Sequence, residues 1–95
     1  MRQYELAYII HPDLDETAFK EAVERIQGLI EAAGGKVTNA EIVGKKKLAY
    51  EIRKQKEGQY VFLKTEMPPT YINELERSLS LMESVMRFMV IQDEA

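Results

Sequence analysis

The residues of this chain that could do chemistry are cationic and aromatic, and they lie close together. Three consecutive lysines follow Gly44, and Tyr60 and Phe62 stand two positions apart shortly afterwards. Ammonium groups attract phosphates and aromatic rings stack on bases, so this combination is typical of surfaces that bind polyanions. A polar stretch ending at Gly58 separates two strand-like runs, which predicts that a β-hairpin presents these side chains.

Charge is unevenly distributed along the chain, although the formal net charge is only −3. From Lys36 to Lys64 there are eight basic residues against three acidic ones, whereas the rest of the chain has five against thirteen. Phosphate binding depends on the local field more than on the total charge, so the hairpin still attracts a polyanion. The alternative is that these lysines only keep an exposed sheet edge from pairing with another chain.

Candidates for catalysis or metal binding are few. His11 is the only histidine, and beside Pro12 at the end of a predicted strand it is expected to be a loop residue. The sequence has no Ser-His-Asp set, no cluster with metal-ligand spacing and no phosphate-binding glycine loop. Because there is also no cysteine, thiolate metal sites and disulfides are excluded. We therefore expect no enzymatic activity, no metal and no cofactor.

Length and hydropathy predict a small, single-domain protein without a membrane-spanning segment. The 95 residues suffice for one core, and we expect a single domain over residues 1–95. No apolar run approaches the ~20 residues of a membrane span, and the N-terminus lacks a signal-peptide pattern. The sequence thus predicts a cytoplasmic protein.

Four strands are predicted to position the hairpin. They are Arg2–Ile10, Lys36–Ile52 with a bulge or bend at Gly44, Gln59–Met67 and residues 84–92. The turn of the hairpin is predicted at residues 53–58, and residues 93–95 are predicted to fray.

Two amphipathic helices are predicted between the strands. The first is capped by Asp13 or Asp15, with Asp13 and Glu16 at capping-box spacing, and it ends at Gly34-Gly35. The second follows Pro68-Pro69, and its buried stripe is Ile72, Leu75, Leu79 and Met82.

This order predicts an α+β fold of the ferredoxin-like, split βαβ class. Right-handed crossovers place both helices on one face of a four-stranded antiparallel sheet, with the strands ordered fourth, first, third, second. The other sheet face, which we call the open face, is left without helices.

The open face is predicted to carry a contiguous apolar patch. Tyr4, Leu6, Tyr8, Val61, Leu63, Phe88 and Val90 are expected to face the helices. The outward residues, which we call the open-face patch, are Ile9, Tyr60, Phe62, Met89 and Ile91. A patch of this kind on a soluble monomer marks a binding surface, unless the phase of one strand is wrong and part of the patch is core. Its aromatic rings are compatible with stacking on RNA bases and with docking of a protein.

Short segments spread along the chain resemble, in the same order, a known family. They are Arg2–Glu5, His11-Pro12, Gly44–Tyr50, Gly58-x-Tyr60, Glu66–Pro68, Asn73–Leu75 and Val85–Val90. Over nearly its whole length the chain resembles the sixth protein of the bacterial small ribosomal subunit. One departure is Glu51, which stands where many relatives have proline and adds an acid near the hairpin lysines.

The resemblance implies a ferredoxin-like, non-enzymatic protein of the small ribosomal subunit. Such a protein binds the central domain of small-subunit ribosomal RNA and pairs with the eighteenth small-subunit protein. Carried over by position, the resemblance implies RNA contacts by Arg2, Lys45, Lys46, Lys47 and Arg87. The open-face patch is then expected to contact the protein partner.

Two other hypotheses stay open from the sequence. A regulatory ferredoxin-like domain would dimerise through its open face and bind a small metabolite, whereas the ribosomal hypothesis predicts a monomer outside the ribosome. The molar mass at micromolar concentration distinguishes them. A small ferredoxin-like hydrolase would need an arginine-containing phosphate loop, which the sequence lacks.

Overall fold

The computed structural model describes residues 1–93, and its strands and helices follow the predicted order. The elements are β1 (Arg2–Ile10), α1 (Glu16–Ala32), β2 (Lys36–Ile52), β3 (Gln55–Met67), a 3-10 turn (Pro69–Tyr71), α2 (Ile72–Leu81) and β4 (Val85–Gln92). The strands form one antiparallel sheet in the order β2-β3-β1-β4. The predicted ferredoxin-like fold and strand order are confirmed.

The core lies between one face of the sheet and the two helices. In β1 every second side chain from Tyr4 to Ile10 is buried, because alternate side chains of this central strand point towards the helices. Val61 and Leu63 of β3 join them in the core, and Phe88 and Val90 of β4 pack against its edge. The predicted phase of all three strands is therefore correct.

Helix α1 begins at a side-chain cap. Asp15 Oδ1 accepts a hydrogen bond from the Ala18 amide at 2.8 Å, which satisfies one of the free donors of the first turn. Asp15 is the cap, so the capping box of Asp13 and Glu16 was a wrong prediction. The Asp13 amide instead donates to His11 Nδ1 at 3.1 Å, within the loop after β1. After the helix, Gly34 adopts φ +86°, the left-handed conformation expected there.

Helix α2 buries Leu75 and Leu79 completely, as its stripe predicted. Ile72 is half-buried, and Met82 follows the last helical residue with 8% of its surface exposed. Pro69 begins the 3-10 turn instead of α2 itself, so the helix starts three residues later than the prolines suggested.

The hairpin turn is shorter than predicted. Only Arg53 and Lys54 form it, both with positive φ (51° and 66°), while Gln55–Gly58 belong to β3. A two-residue turn with positive φ at both positions usually contains Asn or Gly, so these two residues gave no turn signal. Lys56 and Glu57 are both polar and exposed, so this part of β3 has the sequence pattern of a loop although it is a strand.

Three smaller features concern the bulge in β2 and the two ends of β4. Gly44 marks a bulge, as expected, with φ +94° and a register shift beside it. The last strand begins at Val85, one residue late. The Asp93 amide donates to the Gln3 carbonyl at 2.9 Å, so fraying does not begin there, and the rest of the predicted frayed end, residues 94 and 95, lies outside the described residues.

Candidate functional site

The open face is built from three rows of side chains that run across the central strands. Residues paired on neighbouring antiparallel strands point to the same face of a sheet. The rows, written from β3 through β1 to β4, are Tyr60–Ile9–Arg87, Phe62–Ala7–Met89 and Lys64–Glu5–Ile91. All five residues of the open-face patch therefore lie on one surface.

This patch is apolar, and its residues partly shield one another from solvent. Met89 and Ile91 are 59% and 52% exposed, whereas Ile9, Tyr60 and Phe62 are half-buried. The rings of Tyr60 and Phe62 contact each other, with centroids 6.5 Å apart. Between them and β4 lies a shallow depression, lined by Ala7, Ile9, Tyr60, Phe62, Arg87 and Met89. The surface can accept a large apolar side chain or a flat ring.

Beside the patch, β2 and β3 continue beyond the end of β1. Gln59 is the last residue in this direction to pair with β1, opposite Ile10, so Gln55–Gly58 pair only with β2. We call residues 45–59 the hairpin arm, whose base is the pair of Lys45 and Gln59. Gln59 anchors its base, because Nε2 donates to the His11 carbonyl at 3.0 Å.

The three lysines lie at the base of the arm, and all are exposed. Lys46 stands opposite Gly58 and so shares the side of the open face, whereas Lys45 and Lys47 point to the other side. The ion pairs found among residues 1–93, Lys36 with Glu66 and His11 with Asp13, do not include them. Their charges are thus available on both sides of the arm.

Arg2 is not part of this cluster. It pairs with Met67 at the far end of β1, while the lysines lie level with Ile10 or beyond it at the other end. Eight residue-to-residue steps along β1 separate these ends by about 27 Å. The structure therefore brings Lys45, Lys46, Lys47 and Arg87 to one end of the sheet and leaves Arg2 at the other.

Arg87 and Arg53 make contacts that sequence reasoning missed. The Arg87 guanidinium carbon lies 5.4 Å from the centroid of the Tyr50 ring, a cation–π contact. Arg53 Nη1 donates to the Glu83 carbonyl at 3.2 Å, which joins residues 30 positions apart. No local spacing in the sequence could signal such pairs, since they exist only once the arm folds towards β4.

Nothing among the described residues adds a catalytic or metal-binding arrangement. Residues 1–93 contain no group of three or more His, Cys, Asp or Glu side chains that could hold a metal ion. The strongly perturbed group is Tyr8, where burial raises the pKa of a core phenol away from the open face. Neither helix in the described part of the chain is long and apolar enough to cross a membrane.

The fold and this surface define a class: a ferredoxin-like protein with an apolar open face beside a cationic hairpin arm. Residues 3–92 match the family described as ribosomal protein S6. The chain belongs to the ribosomal protein S6 family, as its motifs predicted, and it is a protein of the small ribosomal subunit. The family accordingly places it on the ribosome, in the bacterial cytoplasm.

Relatives and a solved structure agree over the whole chain. It is 43% identical to small ribosomal subunit protein bS6 of Clostridium kluyveri and 45% identical to that of Clostridium novyi. Both alignments span 94 residues and cover 99% of each chain. The crystal structure of 30S ribosomal protein S6 from Thermotoga maritima superposes with a TM-score of 0.92 at 31% identity, covering 97% of this chain and 87% of that one.

Proposed function

We propose that this chain is a structural constituent of the small subunit that binds the central domain of its ribosomal RNA together with the eighteenth small-subunit protein. It acts as one domain over residues 1–95, without catalysis and without a cofactor. One observation carries the proposal: in a member of the S6 family, an apolar open face adjoins an arm whose lysines have no acidic partner among the described residues.

The hairpin arm is proposed to contact RNA phosphates. Lys45, Lys46 and Lys47 are exposed and project to both sides of the ribbon, so they can reach two phosphate groups of a folded RNA junction. Phosphate contacts position a protein without reading sequence, and specificity then comes from the shape of the RNA and from the partner. Arg2 supplies a separate contact at the opposite end of the sheet.

Arg87 is proposed to contact RNA with the edge of its guanidinium. One face of this group lies against the Tyr50 ring, but the N–H groups lie in the guanidinium plane and remain able to donate. The residue is also exposed. A phosphate beside the arm could therefore be bound without breaking the contact with Tyr50.

The open-face patch is proposed to dock the protein partner. Its centre combines two aromatic rings with Ile9, and its margin carries the exposed Met89 and Ile91. Aromatic residues and methionine are enriched in protein interfaces, and a desolvated centre with a charged margin is their usual plan. Base stacking would call for several cations among the rings. The nearby candidates are Lys64 and Arg87, which are too few, so we favour docking of a protein.

Co-migration with ribosomes tests the proposal directly. A tagged chain expressed in bacteria is expected to migrate with small subunits in a sucrose gradient and to be released as the salt concentration rises. The free chain is expected to have the molar mass of a monomer at micromolar concentration. A chain that stays at the top of the gradient, or that forms a stable homodimer through the open face, contradicts the proposal.

A further inference from the structure

We propose that Arg87 and Arg53 are positioning residues that tie the hairpin arm to the start of β4 and so fix the direction of its cationic side chains. The inference rests on the proposed function, because the direction of the arm matters only if its cations meet phosphates. It gives Arg87 a role that depends on the planar shape of its guanidinium as well as on its charge.

The hydrogen bonds between the two strands of the arm are not enough to hold it in place, so it needs contacts with the rest of the protein. Gln55–Gly58 do not pair with β1, so the arm is a two-stranded ribbon, and such ribbons are marginally stable alone. In its turn, Arg53 and Lys54 have φ of 51° and 66°, a region that non-glycine residues rarely adopt. Strained backbone of this kind persists only where surrounding contacts hold it.

The first tie is the contact between Arg87 and Tyr50. These residues lie on β4 and β2, with β1 and β3 between them in the sheet, yet the guanidinium carbon is 5.4 Å from the ring centroid. In a flat sheet, three strand spacings would separate β2 from β4 by about 14 Å. The Tyr50 and Arg87 side chains therefore lean towards each other across the end of the sheet, and their contact links the arm to β4.

Gly58 lets the base of the arm approach β1 closely because it has no side chain. A Cβ at this position would collide with Cγ2 of Ile9 and would stand 3.5 Å from Cδ2 of Leu48. The arm can thus lie close to the end of β1, with Leu48 and Ile9 filling the space. The close approach also joins the base of the arm to the open-face patch.

The second tie lies at the tip of the arm. Arg53 Nη1 donates to the carbonyl oxygen of Glu83, in the loop that leads into β4. The two ties hold the middle and the tip of the arm against the same part of the molecule. A cationic element that is already oriented loses less conformational freedom on binding, which favours affinity.

Three variants separate positioning from charge. Tyr50→Leu removes the ring and leaves every charge in place, whereas Tyr50→Phe keeps a ring on which the guanidinium can stack. Arg87→Lys keeps the charge but removes the planar group. Amide hydrogen exchange of the free protein reports the opening of the arm without any RNA, so it tests the ties independently of the proposed function.

Tyr50→Leu is expected to speed exchange of the arm amides by roughly two- to fivefold, the range of an exposed cation–π contact. Arg87→Lys is expected to speed it by a smaller factor, because an ammonium group can still lie over the ring but cannot stack on it. Amides in β1 should keep their wild-type rates. Tyr50→Phe should stay close to wild type, and Tyr50→Leu should have a smaller effect in the Arg87→Lys background than in the wild type. Unchanged arm exchange in Tyr50→Leu, or an equal effect of Tyr50→Leu in the wild type and in the Arg87→Lys background, overturns the proposal.

A titration with the RNA junction then connects the ties to binding. Tyr50→Leu should weaken binding by roughly two- to fivefold with an unchanged salt slope, because no charge is lost. Faster exchange without any loss of affinity overturns the positioning role. If the wild-type chain does not bind RNA in the presence of the partner, the proposed function fails. The exchange rates would then still show whether the contact between Arg87 and Tyr50 holds the arm in place.

Discussion

At the scale of single residues, Tyr8 combines deep burial with an unpaired hydroxyl. Its side chain is 1% exposed, and Oη has no hydrogen-bond partner among residues 1–93. Leaving a buried hydroxyl unpaired costs about 1–3 kcal/mol. Tyr8→Phe is therefore expected to raise the free energy of unfolding by ~1 kcal/mol at neutral pH in a urea titration. The half-buried Tyr60, changed to Phe, is the control, and a clear loss of stability in Tyr8→Phe contradicts the prediction.

The same residue makes stability depend on alkaline pH. Burial raises the pKa of Tyr8 above its ordinary value of 10.0. Above about pH 10 the unfolded chain loses this proton while the folded chain keeps it, so stability is full below that pH and falls as the pH rises. The advantage of Tyr8→Phe should therefore be larger at about pH 10.5 than at neutral pH.

The three lysines of the arm are expected to act through charge alone. Changing Lys45, Lys46 and Lys47 together to Gln should weaken binding to the RNA and its partner and flatten the salt slope by up to about 3 units. Unfolding free energy should barely move, since exposed lysines contribute little. A matched control removes the exposed charges of Lys20, Arg25 and Arg77 from the helices. If both triple variants lose affinity equally, the lysines act only through net charge. If the lysine variant binds as well as wild type at low salt, the lysines do not contact RNA and only keep the sheet edge from pairing with another chain.

At the scale of elements, α2 is held to the sheet mainly by its two fully buried leucines. Leu75→Ala should lower the free energy of unfolding by ~2–5 kcal/mol, the sum of lost transfer energy and a cavity. Leu81, in the same helix but 76% exposed, is the matched control, and its change to Ala should cost less than about 0.5 kcal/mol. A loss below about 1 kcal/mol for Leu75→Ala is incompatible with a tightly packed site.

The elements that the sequence predicted well are those that bury one face. In β1 and α2, apolar side chains recur with the period of the strand or the helix, so the buried face can be read directly from the sequence. The open-face patch was predicted from the same alternation in the strands. The turn was predicted at the wrong length because Arg53 and Lys54 carry no turn signal and because the ribbon beyond β1 has no buried face. The Tyr50–Arg87 contact joins two strands that are not neighbours in the sheet, which no local pattern encodes.

At the scale of the whole molecule, the charged arm and the apolar open face adjoin but differ in their chemistry. The arm has exposed lysines suited to phosphates, and the face has a patch suited to a desolvated protein interface. This separation predicts that the two surfaces fail independently when mutated. Loss of the lysines should reduce RNA affinity, while loss of an open-face ring should reduce affinity for the protein partner.

The most direct test is a pair of titrations with Phe62→Ala, one against the eighteenth small-subunit protein and one against the RNA alone. Phe62 lies at the centre of the open-face patch, and we expect partner association to weaken by ~1–3 kcal/mol while binding to bare RNA changes little. Ile42→Ala is the control, since Ile42 is 57% exposed but lies on the helix side of the sheet edge. If the RNA curve shifts and the partner curve does not, the rings stack on bases and the division between arm and face is wrong.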